Sequence, residues 1–224
     1  IYRDQSGIHV NKEIYTEKTT ALPLPDFEGF PLDLYFVPVR ILPYLATRGC
    51  YWGRCTFCDH GQGYFDAYRG KPAHDVVREV KALKDKYQAE HFLFADESYP
   101  PALFRKLSRS LNDNKIDIAW TTHMRFEETL LDEGVWDDAA KSGCRYLHFG
   151  YESGNQRVLK LMDKATDLDA IQTNLKMSSD AGIWNHIMGF FGFPGETLEE
   201  VGDSKNFVHK NREHIHSLGF MTFV

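Results

Sequence analysis

This 224-residue chain predicts an α/β fold built on a mostly parallel sheet, and three observations carry that prediction. From Leu45 onward, six short strand-like apolar runs alternate with stretches of helical periodicity. Helix-start signals such as Pro101 and Thr197-x-x-Glu200 fall between those runs. Composition is that of an ordinary globular protein, 42% hydrophobic and 26% charged. Strands and helices in this order imply right-handed β-α-β units.

Residues 1–40 read as an irregular strap or connector, spaced by proline in Leu22-Pro23-Leu24-Pro25-Asp26 and again at Pro31 and Pro38. The core domain is expected over residues 41–224. Tyr44–Thr47 reads as the first strand and leads directly into a group of cysteines. Val76, Val80, Leu83 and Tyr87 then mark one face of a helix. His91–Ala95 reads as the second strand, followed by a helix that starts at Pro101 and carries Leu103, Leu107 and Leu111. Ile116–Thr121 is expected as the third strand, with a helix from about Thr129 to Ser142 behind it. Tyr146–Tyr151 is the fourth, and Gly154-Asn155 opens another helical stretch. Thr166-x-x-Asp169 resembles a capping box before Leu168, Ile171 and Leu175. Trp184–Phe191 reads as the fifth strand, Thr197-x-x-Glu200 as a capping box, and Gly219–Val224 as the sixth strand.

A doubly wound sheet and a barrel both satisfy this pattern, and periodicity does not choose between them. In either, ligands gather at the carboxyl ends of the strands. Residues just after strands are therefore site candidates, and residues just before strands belong to the opposite rim.

Charge and hydropathy exclude several classes. With 26 Lys+Arg against 32 Asp+Glu, the net charge is −6, which disfavours a general grip on nucleic acid. No apolar run approaches the ~18–20 residues that span a bilayer. The first twenty residues carry Arg3, Asp4, Lys12, Glu13, Glu17 and Lys18 without an apolar stretch, so no secretory signal is expected. The chain reads as soluble. It starts at Ile1 and stops at Val224 inside an expected strand, which reads as part of a longer protein. Three of the four cysteines fall within nine residues, at Cys50, Cys55 and Cys58. Crowded thiols suit a metal or cluster site in a reducing cytoplasm better than a disulfide scaffold.

Cys50-x4-Cys55-x2-Cys58 lies immediately after the first expected strand, with Gly49 and Gly53 supplying bends in the loop. Three thiolates on one loop can hold three irons of a 4Fe–4S cluster, whereas electron-transfer clusters normally take four. The missing ligand leaves one iron open for a substrate or cofactor. Cys144 precedes the fourth strand, so it belongs to the amino rim, about 17–20 Å from the loop by the length of a strand. There it reads as a buried small hydrophobe. A structural zinc held by Cys50, Cys55, Cys58 and His60 is the competing reading, a Cys3His site in a non-catalytic binding domain. Local spacing allows both.

Motifs after the other strands bear on this choice. The run Cys55-Thr56-Phe57-Cys58, with an aromatic between its cysteines, resembles the signature of radical S-adenosylmethionine (radical SAM) enzymes. So do Phe94-Ala95-Asp96-Glu97-Ser98 after strand two, Gly150-Tyr151-Glu152-Ser153-Gly154 after strand four, and Gly192-Phe193-Pro194-Gly195-Glu196-Thr197 after strand five. The four stand in the family's order over about residues 40–224. The run Arg48–His60, with Asn155-Gln156-Arg157-Val158-Leu159, looks most like the branch that often carries an upstream cobalamin-binding domain. One departure is visible: four residues separate the first two cysteines, where most members have three.

The resemblance implies an incomplete (βα)6 barrel that binds one 4Fe–4S cluster and S-adenosylmethionine. Cys50, Cys55 and Cys58 would ligate the cluster, and its fourth iron would chelate the amino and carboxylate groups of the methionyl part. Phe57 would pack near the adenine. The backbone around Ala95, Asp96 and Glu97 would meet the ammonium group, with the two carboxylates adding attraction. Glu152 would accept from the ribose hydroxyls or the ammonium. Arg125 would meet the cofactor carboxylate or pair with Glu152. Gly192 and Pro194 would bring backbone close to the adenine. The implied chemistry is reductive cleavage of the sulfonium to a 5′-deoxyadenosyl radical, an oxidoreductase or transferase reaction in which cobalamin takes part in the full-length protein if methyl transfer is its task. A reducing electron donor such as flavodoxin or ferredoxin and a small-molecule or peptide substrate are the implied partners. His123 and His148 are expected in or beside strands three and four, facing the cavity or buried in the core.

Overall fold

The computed structural model describes residues 2–10, 16–59 and 67–223. Six strands form the central sheet: β1 (Ile41–Tyr44), β2 (His91–Phe94), β3 (Ala119–Arg125), β4 (Cys144–Glu152), β5 (Trp184–Phe191) and β6 (Ser217–Thr222). Each is hydrogen-bonded to the next in chain order, and every pairing is parallel. This order decides between the two architectures. A doubly wound sheet reverses its strand order part-way, whereas here each strand is added on the same side. Right-handed crossovers then put all helices on one face, and the sheet curls around the other. The result is an open, incomplete barrel.

The crossover helices are α1 (Ala73–Tyr87), α2 (Pro101–Asp113), α3 (Val135–Lys141), α4 (Gln156–Leu161), α5 (Leu168–Asp180) and α6 (Leu198–Lys210). Alternate strand residues fill the layer beneath them. Phe92, Phe94, Trp120, Leu147, Phe149 and Ile187 are buried with Val76, Val80, Leu83, Phe104, Leu107, Ile171 and Leu175 of the helices. The intervening residues (Leu93, Thr121, His123, His148, His186 and Met188) are half-buried and face the lumen.

Several boundaries differ from expectation for identifiable reasons. The first strand ends at Tyr44, because Ala46 and Thr47 turn their N–H groups to the Asp96 carboxylate at 3.4 and 2.5 Å. Thr47–Arg48 instead pairs antiparallel with Arg69–Gly70. Pro43 lies in β1, an edge strand, where a missing N–H is tolerated. The third strand begins at Ala119 and continues to Arg125, so Arg125 is its last residue rather than one beyond it. The expected helix over 129–142 is a 3-10 turn (Glu128–Leu131) and a separate α3, divided by Gly134 at φ +77°. At α5 the cap is Asp167, whose side chain accepts from Asp169 N and Ala170 N, in place of Thr166. The Thr197/Glu200 capping box is present as expected. The sixth strand spans Ser217–Thr222, and Val224 lies outside the described residues. Before β1, Tyr2–Asp4 and Gly7–His9 form an antiparallel hairpin, and Leu24, Phe27 and Leu32 lean on the core.

Candidate active site

The carboxyl ends of the strands bring most of the candidate residues to one rim. The loop after β1 carries Cys50, Cys55 and Cys58 as half-buried side chains. Its bends fall at Gly49 (φ +77°) and Gly53 (φ +61°), in the left-handed region that glycine adopts without strain. Cys58 N donates to Cys55 O at 3.1 Å, so the last two cysteines share one turn. Cys144 is buried at the start of β4, at the amino rim, and burial holds its thiol far above the usual range. His60, the fourth member of the zinc alternative, lies outside the described residues. Among the described residues, no three His, Cys, Asp or Glu side chains already stand as a single-ion site.

The connection between α4 and α5 clamps this loop. Thr56 N donates to Met162 O at 2.9 Å, Trp52 Nε1 to Asp163 O at 2.8 Å, and Arg54 pairs with Asp163 at 3.0 Å. Asp163 and Ala165 hold φ near +50°, a conformation costly for a side-chain-bearing residue unless its surroundings fix it. Between them, Lys164 points inward, only 5% exposed, and its Nζ lies 2.8 Å from Glu152 Oε1. Glu152 therefore pairs with Lys164 and not with Arg125. A register shift between β4 and β5 and a φ of +63° turn Glu152 off the strand. Gly150 makes room for the pair: a Cβ there would stand 2.6 Å from both Glu152 Oε1 and Lys164 Nζ.

Arg125 is 4% exposed, and each of its three nitrogens donates within the fold. Its Nε donates to Glu127 Oε1 at 3.0 Å, Nη2 to Lys164 O at 2.5 Å, and Nη1 to Cys55 Sγ at 3.8 Å. The guanidinium also lies 4.4 Å above the Trp52 ring. Glu127 Oε1 in turn accepts from Tyr51 OH at 2.7 Å. Burial pushes the Cys55 thiol up, while the Lys164 and Arg125 charges pull the other way.

After β2 the acidic pair divides its work. Asp96 is fully buried and accepts from Thr47 N and Oγ1, both at 2.5 Å, and burial pushes its carboxyl up to about 6. That carboxylate is spent inside the fold and, against expectation, is not available to attract an ammonium group. Glu97 keeps Oε2 buried without a hydrogen-bond partner among the described residues, and Ala95 is exposed with its N–H on Tyr44 O. Phe57 packs edge-on against Phe190 at 4.9 Å, in a small apolar cluster with Val158, Met162 and Phe193. Gly192 (φ +86°) opens the turn after β5, and its N–H donates to Glu196 Oε2 at 2.6 Å. Pro194 follows in the same turn, ahead of α6.

Deeper in the lumen, His123, His148 and His186 form one row across β3, β4 and β5, with ring centroids 4.6 and 5.2 Å apart. Burial and the neighbouring imidazoles lower His148 to about 4. Sequence reading weighed two of these but passed over Lys164, Glu127 and Trp52. Nothing in their local patterns marks them: Lys164 meets Glu152, Trp52 meets Asp163 and Glu127 meets Tyr51, partners 12 to 111 positions away.

Residues 44–208, well over half of the chain, match the Radical SAM superfamily. The chain belongs to that superfamily. The domain implies a 4Fe–4S cluster and S-adenosylmethionine as its cofactors. An uncharacterized methyltransferase, PH0819, from Pyrococcus horikoshii is 28% identical over 87% of this chain and 42% of its own length. Bacteriochlorophyllide d C-12(1)-methyltransferase from Chlorobaculum tepidum is also 28% identical, over 87% and 43%. The chain thus spans less than half the length of these relatives. Among solved structures, the methyltransferase TsrM from Kitasatospora setae, with cobalamin and a [4Fe-4S] cluster bound, superposes with a TM-score of 0.69. The match is at 19% identity and covers 82% of this chain and 34% of that one. OxsB, a cobalamin-dependent S-adenosylmethionine radical enzyme, gives 0.71 at 20% identity over 92% and 31%. These two share the partial-barrel fold. None of these relatives supports the zinc-stabilised, non-catalytic reading. Among the described residues, no helix is long and apolar enough to cross a membrane.

Proposed function

We propose that Cys50, Cys55 and Cys58 hold three irons of the cluster and that the rim around them receives S-adenosylmethionine. Two features of the protein fit that pair of groups. Three thiols sit on one clamped loop at the ligand-binding rim. Glu97 also offers a buried carboxylate oxygen that no group among the described residues satisfies, a costly arrangement unless a donor arrives. Bound together, the two cofactors supply reductive cleavage of a carbon–sulfur bond and the 5′-deoxyadenosyl radical that it releases.

The chain's own residues then bind and orient. Glu97, with the backbone at Ala95 and Asp96, is the acceptor for the ammonium group. Glu152 accepts from the ribose or the ammonium, and Lys164 beside it supplies the cation for the methionyl carboxylate. This replaces Arg125, each of whose three nitrogens already donates within the fold. Phe57 and the backbone over Gly192–Pro194 provide an apolar seat for the adenine. The half-buried histidine row lines the lumen that the substrate would enter.

The likeness to methyltransferases supports methyl transfer with cobalamin held elsewhere in the full-length protein. We further propose residues 41–224 as the core domain and 1–40 as its strap. The proposed setting is the cytoplasm, with a flavodoxin- or ferredoxin-type electron donor and a small-molecule or peptide substrate. The single observation that carries the reading is the clamped three-thiol loop at the carboxyl rim. Anaerobic reconstitution of the full-length protein tests it. About four irons and four sulfides per chain are expected, with release of 5′-deoxyadenosine from S-adenosylmethionine under reduction. Stoichiometric zinc with no iron would overturn it.

A further inference from the structure

Arg125 is held more firmly than a residue waiting for a substrate. Glu127 fixes its Nε at 3.0 Å, the Lys164 carbonyl fixes Nη2 at 2.5 Å, and the Trp52 ring lies 4.4 Å beneath the guanidinium. What remains is Nη1, aimed at Cys55 Sγ from 3.8 Å. Trp52 and Cys55 belong to the same loop, and Glu127 also receives the hydroxyl of Tyr51, next to Cys50. A charged frame therefore encloses one side of the cysteine loop; two cations, Lys164 and Arg125, act on the Cys55 thiol, and Arg125 is the one that donates to its sulfur.

We propose that Arg125 is a positioning residue for the cluster itself: its N–H donor and buried charge act on the Cys55 thiolate and raise the cluster's reduction potential. The inference rests on the reading that Cys55 is a cluster ligand. Physically, one-electron reduction adds negative charge to the cluster and its sulfurs. A hydrogen bond and a positive charge at a ligating sulfur favour that reduced form, and charge and hydrogen bonds at sulfur are known levers on such potentials. With water largely excluded around a 4%-exposed guanidinium, screening is weak. Glu127, on the far side of Arg125, works in the opposite direction and offsets part of the effect.

The test is a redox titration of the reconstituted full-length protein without S-adenosylmethionine, followed by electron paramagnetic resonance, in wild type and in Arg125→Gln, Arg125→Lys and Glu127→Gln. Arg125→Gln is expected to keep its iron and to lower the equilibrium constant for reduction about tenfold, which is about 59 mV for one electron. Arg125→Lys keeps the charge and should stay closer to wild type. Glu127→Gln can still accept from Tyr51 and should shift the potential upward. The opposite signs separate an electrostatic role from loosened packing, which would move both variants the same way. An unchanged potential in Arg125→Gln, with weaker binding of S-adenosylmethionine, would overturn the inference and return Arg125 to the cofactor carboxylate. If Arg125→Gln loses its iron, a Glu127→Gln potential at or below wild type overturns it, and a raised one supports it. Absence of iron from wild type is a different failure, that of the cluster reading.

Discussion

At the scale of single residues, the four cysteines show how position outweighs chemical identity. Cys144 and Cys55 carry the same thiol, yet one is buried under the helices at the amino rim and the other is half-buried beside two cations at the carboxyl rim. Cys55→Ala is therefore expected to abolish iron binding, whereas Cys144→Ala should leave iron content unchanged and cost about 1 kcal/mol in packing. Iron analysis after reconstitution, with urea midpoints for stability, checks both. Asp96 makes a pH prediction. Its folded-state pKa of about 6 lies above the ordinary 3.8, so the folded chain retains a proton that the unfolded chain releases. The stabilising contribution is thus full below about pH 4 and is lost as pH rises through 6, a change of about 3 kcal/mol. Asn at this position can still accept from Thr47. Asp96→Asn should remove that fall in stability, seen as urea midpoints that no longer drop between pH 4.5 and 7; an unaltered slope would assign the titration to another group.

At the scale of elements, loop geometry does the positioning. The turn from α3 into β4 passes through Gly143 at φ +92°, where a Cβ would stand 1.8 Å from the Ile118 carbonyl oxygen. Only glycine lets that turn lie against the entry to β3. Gly143→Ala is expected to destabilise the protein by about 4 kcal/mol or more, by combined strain and collision, as read from denaturant midpoints. At the opposite rim, the α4–α5 connection ties the cysteine loop through Met162 and Asp163 and presents Lys164 to Glu152. Removing one member of so buried a pair leaves an uncompensated charge, and Lys164→Ala should cost about 3 kcal/mol. Loss of folded protein at lower urea, together with weaker binding of S-adenosylmethionine, is the expected record; an unchanged midpoint would mean that Glu152 finds another partner or takes up a proton.

For the molecule as a whole, the strands follow one another across the sheet without reversal, and all ligands must approach a single rim. A cluster bound there ties the loop after β1 to the folded frame, so binding adds to global stability by linkage. Reconstituted protein should melt at a higher temperature than iron-free protein under strictly anaerobic conditions, and Cys55→Ala should abolish the difference.

The amino-acid sequence on its own determined the alternation of strands and helices, because apolar periodicity survives any tertiary arrangement. It also determined the family, because the cysteine loop and the turns after strands two, four and five are local runs whose residue order is the signal. Local punctuation was legible for the same reason, as at Pro101 and the Thr197/Glu200 box. It misled where a long-range partner intervened: Asp96 pulled Thr47 out of the first strand, and Asp167 displaced Thr166 as the cap. Only the tertiary structure decided barrel against doubly wound sheet, since strand order is not written in periodicity. Only it paired Lys164 with Glu152 and turned Arg125 toward Cys55. Such contacts join residues far apart in the chain, and their energies depend on burial and distance, which a linear pattern does not contain.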